Sequence, residues 1–353
     1  MKGHTKTVAG VAVTVFFLWL ALRGVEWADV AANVRAANLP LLAAAVLTSG
    51  LGMHIRALRW KPLLDPVAPH VAWRPRIAAV CIGFATSNVI PARIGEFART
   101  WVLSRQAGIP LTAAFASLVL ERALDGIVII SFLLATMSLP GFPALATGDV
   151  DLQGAIRFVG VVTAVMLLGV LWMTFYPAPA VRIAERVAGI ILPAGWRRPV
   201  LDALHAFLRG LDVLRSPRLL AISVAWALAQ WSFLALSFLL AFRAFGITEP
   251  GYVGAVFLQS CIALAVAIPA GPGFFGPFEA ASVWGLGLWG VDRARAVSFA
   301  IGFHLGGWFL VTAMGAWYAL RLNVRLRDLR NSDTPVEEAV ERDEALAGRA
   351  GRG

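Results

Sequence analysis

Long runs of apolar residues constrain the fold of this chain more than any other feature of its sequence. Each run approaches the roughly 20 residues with which a helix crosses a hydrocarbon core of ~30 Å, where every backbone polar group must be hydrogen-bonded. The runs are 8–22, 39–55, 77–92, 111–139, 155–176, 219–241, 252–269, 274–290 and 297–320. The sequence therefore predicts an all-α integral membrane protein in which residues 1–320 form one polytopic membrane domain.

Arginine-rich segments between the runs predict how the chain is oriented. Basic residues concentrate in 56–76, in 177–218 and after residue 320, and an excess of Lys and Arg is typical of cytoplasmic loops. The loop 140–154 holds Asp149 and Asp151 but no Lys or Arg, so we expect it on the external side. The net charge of +10 is then a property of the loops, and no nucleic acid is expected as a partner.

This orientation places both termini in the cytoplasm. The segment 177–218 is basic and amphipathic, which is typical of helices that lie along the membrane interface. The polar residues 321–353 are predicted to form a disordered cytoplasmic tail, because they contain too few apolar residues to build a core.

Two segments do not fit as simple membrane spans. The helices that flank 77–110 place both ends of that segment on the cytoplasmic side. The helices that flank 252–290 place both ends of that segment on the external side. We interpret both as re-entrant hairpins, since broken helices occur in membranes where they are buried in protein or line a cavity. The residues expected at the breaks are Pro91, Gly95, Pro269, Gly271, Gly273 and Gly276.

The order helix, helix, re-entrant hairpin, helix then occurs twice, with opposite orientation. The first repeat covers about 8–139 and the second about 155–320. Both breaks begin with Ile-Pro-Ala, at Ile90 and Ile268, and continue through glycine to a glutamate. Inverted-topology repeats with interrupted segments at matching positions are typical of transporters.

Charged residues inside the apolar segments are the candidate functional residues, because charge within a membrane is costly and is usually retained for function. Arg93, Glu96 and Arg99 share one face of a helix that starts at the first break. A buried helix N-terminus beside two arginines favours the binding of a phosphate or another anion.

Three further charges, Glu121, Arg122 and Asp125, share one face of the run 111–139. Two carboxylates against one arginine permit a proton relay, and they equally fit an ion-pair network that locks this helix to the first hairpin. Glu279, after the second break, fits either a functional role or a capping carboxylate. His304 is interpreted as a packing residue.

Three of these motifs together resemble the lysylphosphatidylglycerol synthase transmembrane-region family, the flippase-like domain. They are Pro91–Arg99, Glu121–Asp125 and Pro269–Ala280, and the resemblance covers roughly 8–320. It implies movement or presentation of a lipid at the bacterial inner membrane. Some members of the family also carry a cytosolic aminoacyl-transferase domain. No segment of this sequence matches that domain, so we expect a standalone member and no lysyltransferase activity.

The first functional hypothesis is therefore a lipid translocase that is not an enzyme and has no catalytic, cofactor or metal-binding residues. Its partner is a membrane lipid with an anionic or phosphate-bearing headgroup, and a homo-oligomer or a partner lipid-modifying enzyme is possible. Arg93, Arg99 and Arg122 would bind the headgroup phosphate. The residues that would order these arginines or relay a proton are Glu96, Glu121, Asp125 and Glu279.

Two alternatives stay open. The first is a small-solute or ion transporter built on the same inverted repeats. The second is a polytopic glycosyltransferase that uses a lipid-linked sugar, for which acidic residues on external loops are needed. The candidates for that role are Glu26, Asp29, Asp149 and Asp151.

Overall fold

A computed structural model of the protein describes residues 2–66, 68–90, 94–140, 142–143, 161, 168–169, 172–173, 175–191, 201, 216–268 and 271–330. Within these ranges all regular structure is helical. The helices are α1 (Lys2–Leu22), α2 (Trp27–Ala36), α3 (Leu39–Leu64), α4 (Trp73–Val89), α5 (Ile94–Ala107), α6 (Leu111–Met137), α7 (Pro177–Ile191), α8 (Pro217–Ala244), α9 (Gly251–Ala265), α10 (Pro277–Gly287), α11 (Arg293–Arg321) and α12 (Leu326–Arg330), with a 3-10 turn at Pro272–Phe274.

Three of the described helices, α3, α8 and α11, are long and apolar enough to cross a membrane, with 26, 28 and 29 residues. The pair α1 and α2 adds a fourth candidate span, bent by 83° at the break between its two helices. Helix α6 is of similar length, at 27 residues, but carries three charged residues in its middle. The predicted all-α membrane protein with several spans is confirmed to this extent, and the inverted repeats stay a prediction.

Two predictions about segments outside the apolar runs are wrong. The helix expected over 39–55 continues to Leu64, so Arg56 and Arg59 are buried helical residues and not part of a cytoplasmic loop. The expected loop after α1 contains the ten-residue helix α2, in which Val30 packs into the core. In both places the residues are good helix formers, and packing of the neighbouring helices decides the outcome.

The two interrupted segments each form a pair of packed helices. α4 packs along α5, and α9 packs along α10. The first pair approaches closely at Gly83 and Gly95, where a Cβ on Gly95 would clash with the carbonyl oxygen of Gly83. Residues 91–93, between α4 and α5, and residues 269–270, after α9, lie outside the described residues.

Helix α11 contacts both pairs. It packs against α4, α3, α2 and α10. Trp308 donates from Nε1 to the carbonyl oxygen of Asn88 at 3.2 Å, and the Asn88 side chain donates to Thr312 at 3.0 Å. His304, one turn earlier, contacts the turn before α10. The last helix therefore holds both interrupted segments along one stripe of its surface.

The predicted interfacial segment 177–218 is described in part. Its helix α7 exposes both arginines and large apolar residues, among them Arg182, Arg186, Ile183 and Ile190, as an amphipathic surface helix would. Most of 155–176 and of 192–215 lies outside the described residues, as do 331–353 of the predicted tail.

Candidate functional site

Helices α3, α5 and α6 bring together a cluster of four arginines and two carboxylates. Helix α6 supplies Glu121 and Asp125, which lie one turn apart and are both buried. Glu121 is the more enclosed, with guanidinium nitrogens at 2.7 Å (Arg99), 2.9 Å (Arg122), 3.3 Å (Arg56) and 3.6 Å (Arg59). We refer to Arg56, Arg59, Arg99, Arg122, Glu121 and Asp125 as the arginine cluster.

Helix α3 contributes two of these arginines, which the sequence analysis missed. Arg59 Nη1 lies 2.6 Å from Asp125 Oδ1, and Arg56 Nη1 lies 3.6 Å from Asp125 Oδ2. Both follow the last residue of an apolar run, and for that reason they were assigned to a loop. The available signal was the spacing of Arg56, Arg59 and Leu63, which places all three on one helical face.

Arg99 is held more tightly than any other arginine of the cluster. Its two terminal nitrogens donate to the two oxygens of Glu121, at 2.9 and 2.7 Å, and its guanidinium lies 3.8 Å from the ring centre of Trp60. A bidentate pair combined with stacking on an aromatic ring is the arrangement that favours arginine over lysine. This side chain therefore joins α5 to α6 and α3.

Arg122 is the accessible member of the cluster. It donates to Glu121 at 2.9 Å and lies 3.8 Å from Asp125, yet 35% of its side chain is exposed. Glu96 approaches it to 4.0 Å and is 34% exposed. Asp125 also accepts a hydrogen bond from Trp231 Nε1 at 2.7 Å, which ties the cluster to α8.

The second polar group of the site is the turn that leads into α10. Glu279 Oε2 accepts from the backbone nitrogen of Gly276 at 2.6 Å, so the expected capping role is present. Its other oxygen, Oε1, lies 2.6 Å from His304 Nδ1, and His304 Nε2 lies 2.9 Å from the carbonyl oxygen of Gly273. His304 is thus more than the packing residue that was expected.

Glycine is required in this turn. Gly273 and Gly276 have φ of 69° and 97°, a region that side-chain-bearing residues rarely adopt. Helix α1 covers the turn, since Gly271 N donates to Thr14 Oγ1 at 2.9 Å and a Cβ on Gly276 would lie 2.6 Å from the carbonyl oxygen of Thr14. The 271–276 turn is therefore fixed by α1 on one side and by His304 on the other.

One cavity of about 320 Å³ connects the two polar groups. Arg56, Arg122 and Asp125 line it from the arginine cluster, and His304 and Gly273 line it from the turn. Apolar and aromatic side chains form much of the remaining wall, among them Phe84, Trp231, Phe238, Phe274, Phe278 and Trp308.

The structure thus places most, but not all, of the residues expected from the sequence at one site. Arg99, Arg122, Glu96, Glu121 and Asp125 lie together around the first pair, where Gly95 also lines the cavity. Glu279 contacts His304, which lines the cavity on the opposite side. Pro91, Arg93 and Pro269 lie outside the described residues.

Comparison with known families decides where this chain belongs. The family model for the lysylphosphatidylglycerol synthase TM region matches residues 7–315. The chain belongs to this family. The resemblance drawn from the three sequence motifs is confirmed, and both polar groups of the site lie inside the matched region.

A curated relative carries a different activity in its name. The chain is 27% identical over 357 residues to glycosyltransferase AglD of Haloferax volcanii, and the match covers 95% of this chain. It covers only 56% of that protein, so the chain spans little more than half of its relative's length. No solved structure matches the chain.

Proposed function

We propose that this member of the family moves or presents a lipid across the membrane and binds the phosphate of its headgroup in the described cavity. One observation carries the proposal. Four guanidinium groups meet only two buried carboxylates at the wall of a cavity whose other side chains are mainly apolar. Guanidinium groups remain charged in proteins, so this wall attracts an anion.

Arg122 and Arg56 are the residues that would contact the phosphate. Both line the cavity, and the Nε atom of each has no hydrogen-bond partner among the described residues although it is buried. Arg99 lines the cavity as well, but both of its terminal nitrogens donate to Glu121. Arg59 is not among the lining residues and lies 2.6 Å from Asp125. These two arginines would therefore act indirectly, by holding the carboxylates in place. Arg93 stays a candidate from the sequence alone.

The size and lining of the cavity support a headgroup as its occupant. A volume of about 320 Å³ lies at the lower end of the range found for pockets that hold drug-sized ligands. Two acyl chains would not fit beside the headgroup, so they would remain in the surrounding lipid. We also propose that the protein lies in the inner membrane of a bacterium, with both termini in the cytoplasm.

A glycosyltransferase that uses a lipid-linked sugar is the second candidate, because of the name of the relative. A sugar donor linked to a lipid through phosphate, such as a polyprenyl-phosphate sugar, would be served by the same arginines. That activity is named for the relative, and this chain covers 56% of the relative's length. The two candidates share their ligand chemistry and differ in whether a glycosidic bond is broken.

The proposal can be tested in vesicles that contain the purified protein. Fluorescent phosphatidylglycerol and fluorescent glucosylceramide, which lacks phosphate, would be introduced into one leaflet, and the rate of appearance in the other leaflet would be followed. We expect faster movement of the phosphate-bearing lipid alone. Arg122→Ala should slow it about tenfold or more, which corresponds to the loss of one charge-assisted hydrogen bond.

Arg74→Ala is the matched control, because Arg74 is an exposed arginine in the first turn of α4, away from the cavity. It should move lipid like the unmodified protein. Equal rates for both lipids, or an unchanged rate in Arg122→Ala, would contradict the proposal. In the same vesicles, loss of sugar from polyprenyl-phosphate-glucose, detected by mass spectrometry, would favour the glycosyltransferase.

A further inference from the structure

The contact between His304 and Glu279 contains one proton, as the hydrogen bonds around it show. The carbonyl oxygen of Gly273 can only accept a hydrogen bond, so His304 Nε2, at 2.9 Å from it, must carry a proton. His304 Nδ1 lies 2.6 Å from Glu279 Oε1. Two lone pairs at that distance repel each other, so a second proton lies between these atoms, on the nitrogen or on the oxygen.

We propose that His304 and Glu279 form a proton-binding site that holds the 271–276 turn closed when it is occupied and releases it when the proton leaves. This inference adds a coupling ion to the lipid translocase proposed above, and rests on that function for its role. The bound state is an imidazolium beside a carboxylate. Loss of one of its N–H protons to water in the cavity leaves a neutral imidazole with a single N–H. That N–H can serve Glu279 or the Gly273 carbonyl but not both, so one of the two contacts is lost.

The arginine cluster cannot supply such a site. Glu121 has four guanidinium groups within 3.6 Å, and Asp125 has Arg59 at 2.6 Å and Trp231 at 2.7 Å. A proton on either carboxylate would leave several buried guanidinium groups without their partner, which is strongly unfavourable. Glu279 has one ionisable partner, and the described residues place no arginine or lysine against it.

The charges that face the pair lie across the cavity. They are Arg56, Glu96, Arg99, Arg122 and Asp125. The helices packed around the pair carry further titratable groups among their described side chains. They are Asp29 and Arg35 on α2, His54, Arg59 and Lys61 on α3, Arg74, Arg76 and Cys81 on α4, Arg218 and Arg243 on α8, Tyr252 and Cys261 on α9, and Arg293, Arg295, Tyr318 and Arg321 on α11.

The surroundings of His304 suit a cation that can be released. The ring of Phe278 stacks on the imidazole at 4.1 Å between centres, and Phe275 lies at 4.5 Å. Aromatic faces attract an imidazolium more than a neutral ring. His304 lines the cavity, so the proton has a route to water when solvent enters it.

The 271–276 turn has an unfavourable backbone conformation, which depends on the hydrogen bonds that hold it. Gly273 and Phe274 have φ of 69° and 61°, and Phe274 is not a glycine. Such a conformation persists only where surrounding contacts impose it. His304 supplies one of these contacts through the Gly273 carbonyl, and Thr14 and Glu279 supply the others.

Hydrogen–deuterium exchange of the purified protein tests the site without any transport measurement. Exchange in peptides that contain residues 271–276 would be followed between pH 5 and pH 9, and corrected for the intrinsic effect of pH on exchange. We expect protection at low pH. Above the transition, exchange should rise about tenfold per pH unit, the slope of a one-proton equilibrium.

Two substitutions should shift this behaviour in opposite directions. In Glu279→Gln the amide nitrogen can donate to Nδ1 of a neutral His304 while the amide oxygen accepts from Gly276 N, so the turn should stay protected above the pH at which it opens in the unmodified protein. His304→Phe keeps an aromatic ring between Phe275 and Phe278 but removes both hydrogen bonds. The turn should then exchange rapidly at every pH, with α6 peptides unchanged as the internal control for folding.

Exchange that does not depend on pH in the unmodified protein would overturn the proton site, and so would a turn in Glu279→Gln that opens with rising pH as it does in the unmodified protein. If the turn titrates as expected but no lipid moves in the vesicles, the proton site stands and the translocase does not. If lipid moves at the same rate at every pH and the turn does not titrate, the translocase stands and the proton site does not.

Discussion

The arginine cluster and the 271–276 turn line the same cavity, but they hold their carboxylates in different ways. Glu121 and Asp125 are each surrounded by several guanidinium groups, so their charge is fixed. Glu279 meets one histidine and one backbone nitrogen, so its charge depends on a single proton. The difference shows how one membrane cavity can combine a permanent anion-attracting wall with a wall whose hydrogen bonds can be switched.

The strongest test of the fixed wall is Glu121→Gln. Arg56, Arg59 and Arg99 would then be buried beside a neutral amide, and removal of one partner of a buried ion pair costs ~3–5 kcal/mol. We expect a large fall in the unfolding temperature in detergent. Glu96→Gln is the control, because Glu96 is a third exposed and lies 4.0 Å from Arg122. Similar unfolding temperatures for both variants would show that the cluster does not depend on its central carboxylate.

Gly276→Ala probes the other wall. The residue has φ of 97° and its Cβ would meet the carbonyl oxygen of Thr14, so the turn or α1 must shift, at a cost of roughly 2–3 kcal/mol. Gly126→Ala, in α6 with open space around it, should be neutral or stabilising by up to ~1 kcal/mol. Thermal unfolding of the two variants measures the difference, and equal stabilities would argue against the described packing of α1.

Arg99→Lys tests whether the shape of the guanidinium group, and not only its charge, stabilises the arginine cluster. Lysine keeps the positive charge but cannot donate to both oxygens of Glu121 or stack flat on Trp60, and we expect a loss of about 2 kcal/mol. Arg122→Lys should cost less than ~1 kcal/mol, because that side chain is partly solvated. The reverse order of unfolding temperatures would mean that Arg122, and not Arg99, is the structural arginine.

The smallest expected effect is that of Trp231→Phe. Phenylalanine fills most of the same space but gives up the 2.7 Å hydrogen bond to Asp125, which contributes about 1 kcal/mol. Asp125 keeps its ion pair with Arg59, so lipid movement should continue with a modest change in rate. A loss as large as that in Glu121→Gln would place Asp125, and not Glu121, at the centre of the cluster.

The sequence predicts the cluster in part because charge in an apolar run is conspicuous. Glu121, Arg122 and Asp125 stand out inside 111–139, and they do lie together at the site. Arg56 and Arg59 were hidden because they adjoin a charged segment that reads as a loop. Only the packing of α3 against α6 reveals that these two arginines are buried partners of the carboxylates.

The second wall was harder to foresee for a different reason. The glycines and Glu279 predict a turn, and the spacing of three residues between Gly276 and Glu279 predicts the capping bond between them. His304 lies 25 residues further along the chain, and a single histidine among small residues gives no sign of its partner. Its role depends on how α11 docks beside α10, which local sequence does not specify.

The stripe of contacts along α11 has a mechanical consequence. His304 reaches the carbonyl of Gly273, and Trp308, four residues later, reaches the carbonyl of Asn88. These side chains project from the same side of one stiff rod, ~6 Å apart along its length. If α11 rotates about its own axis, both interrupted segments are displaced in the same sense, so two bends 185 residues apart in sequence behave as a single moving part.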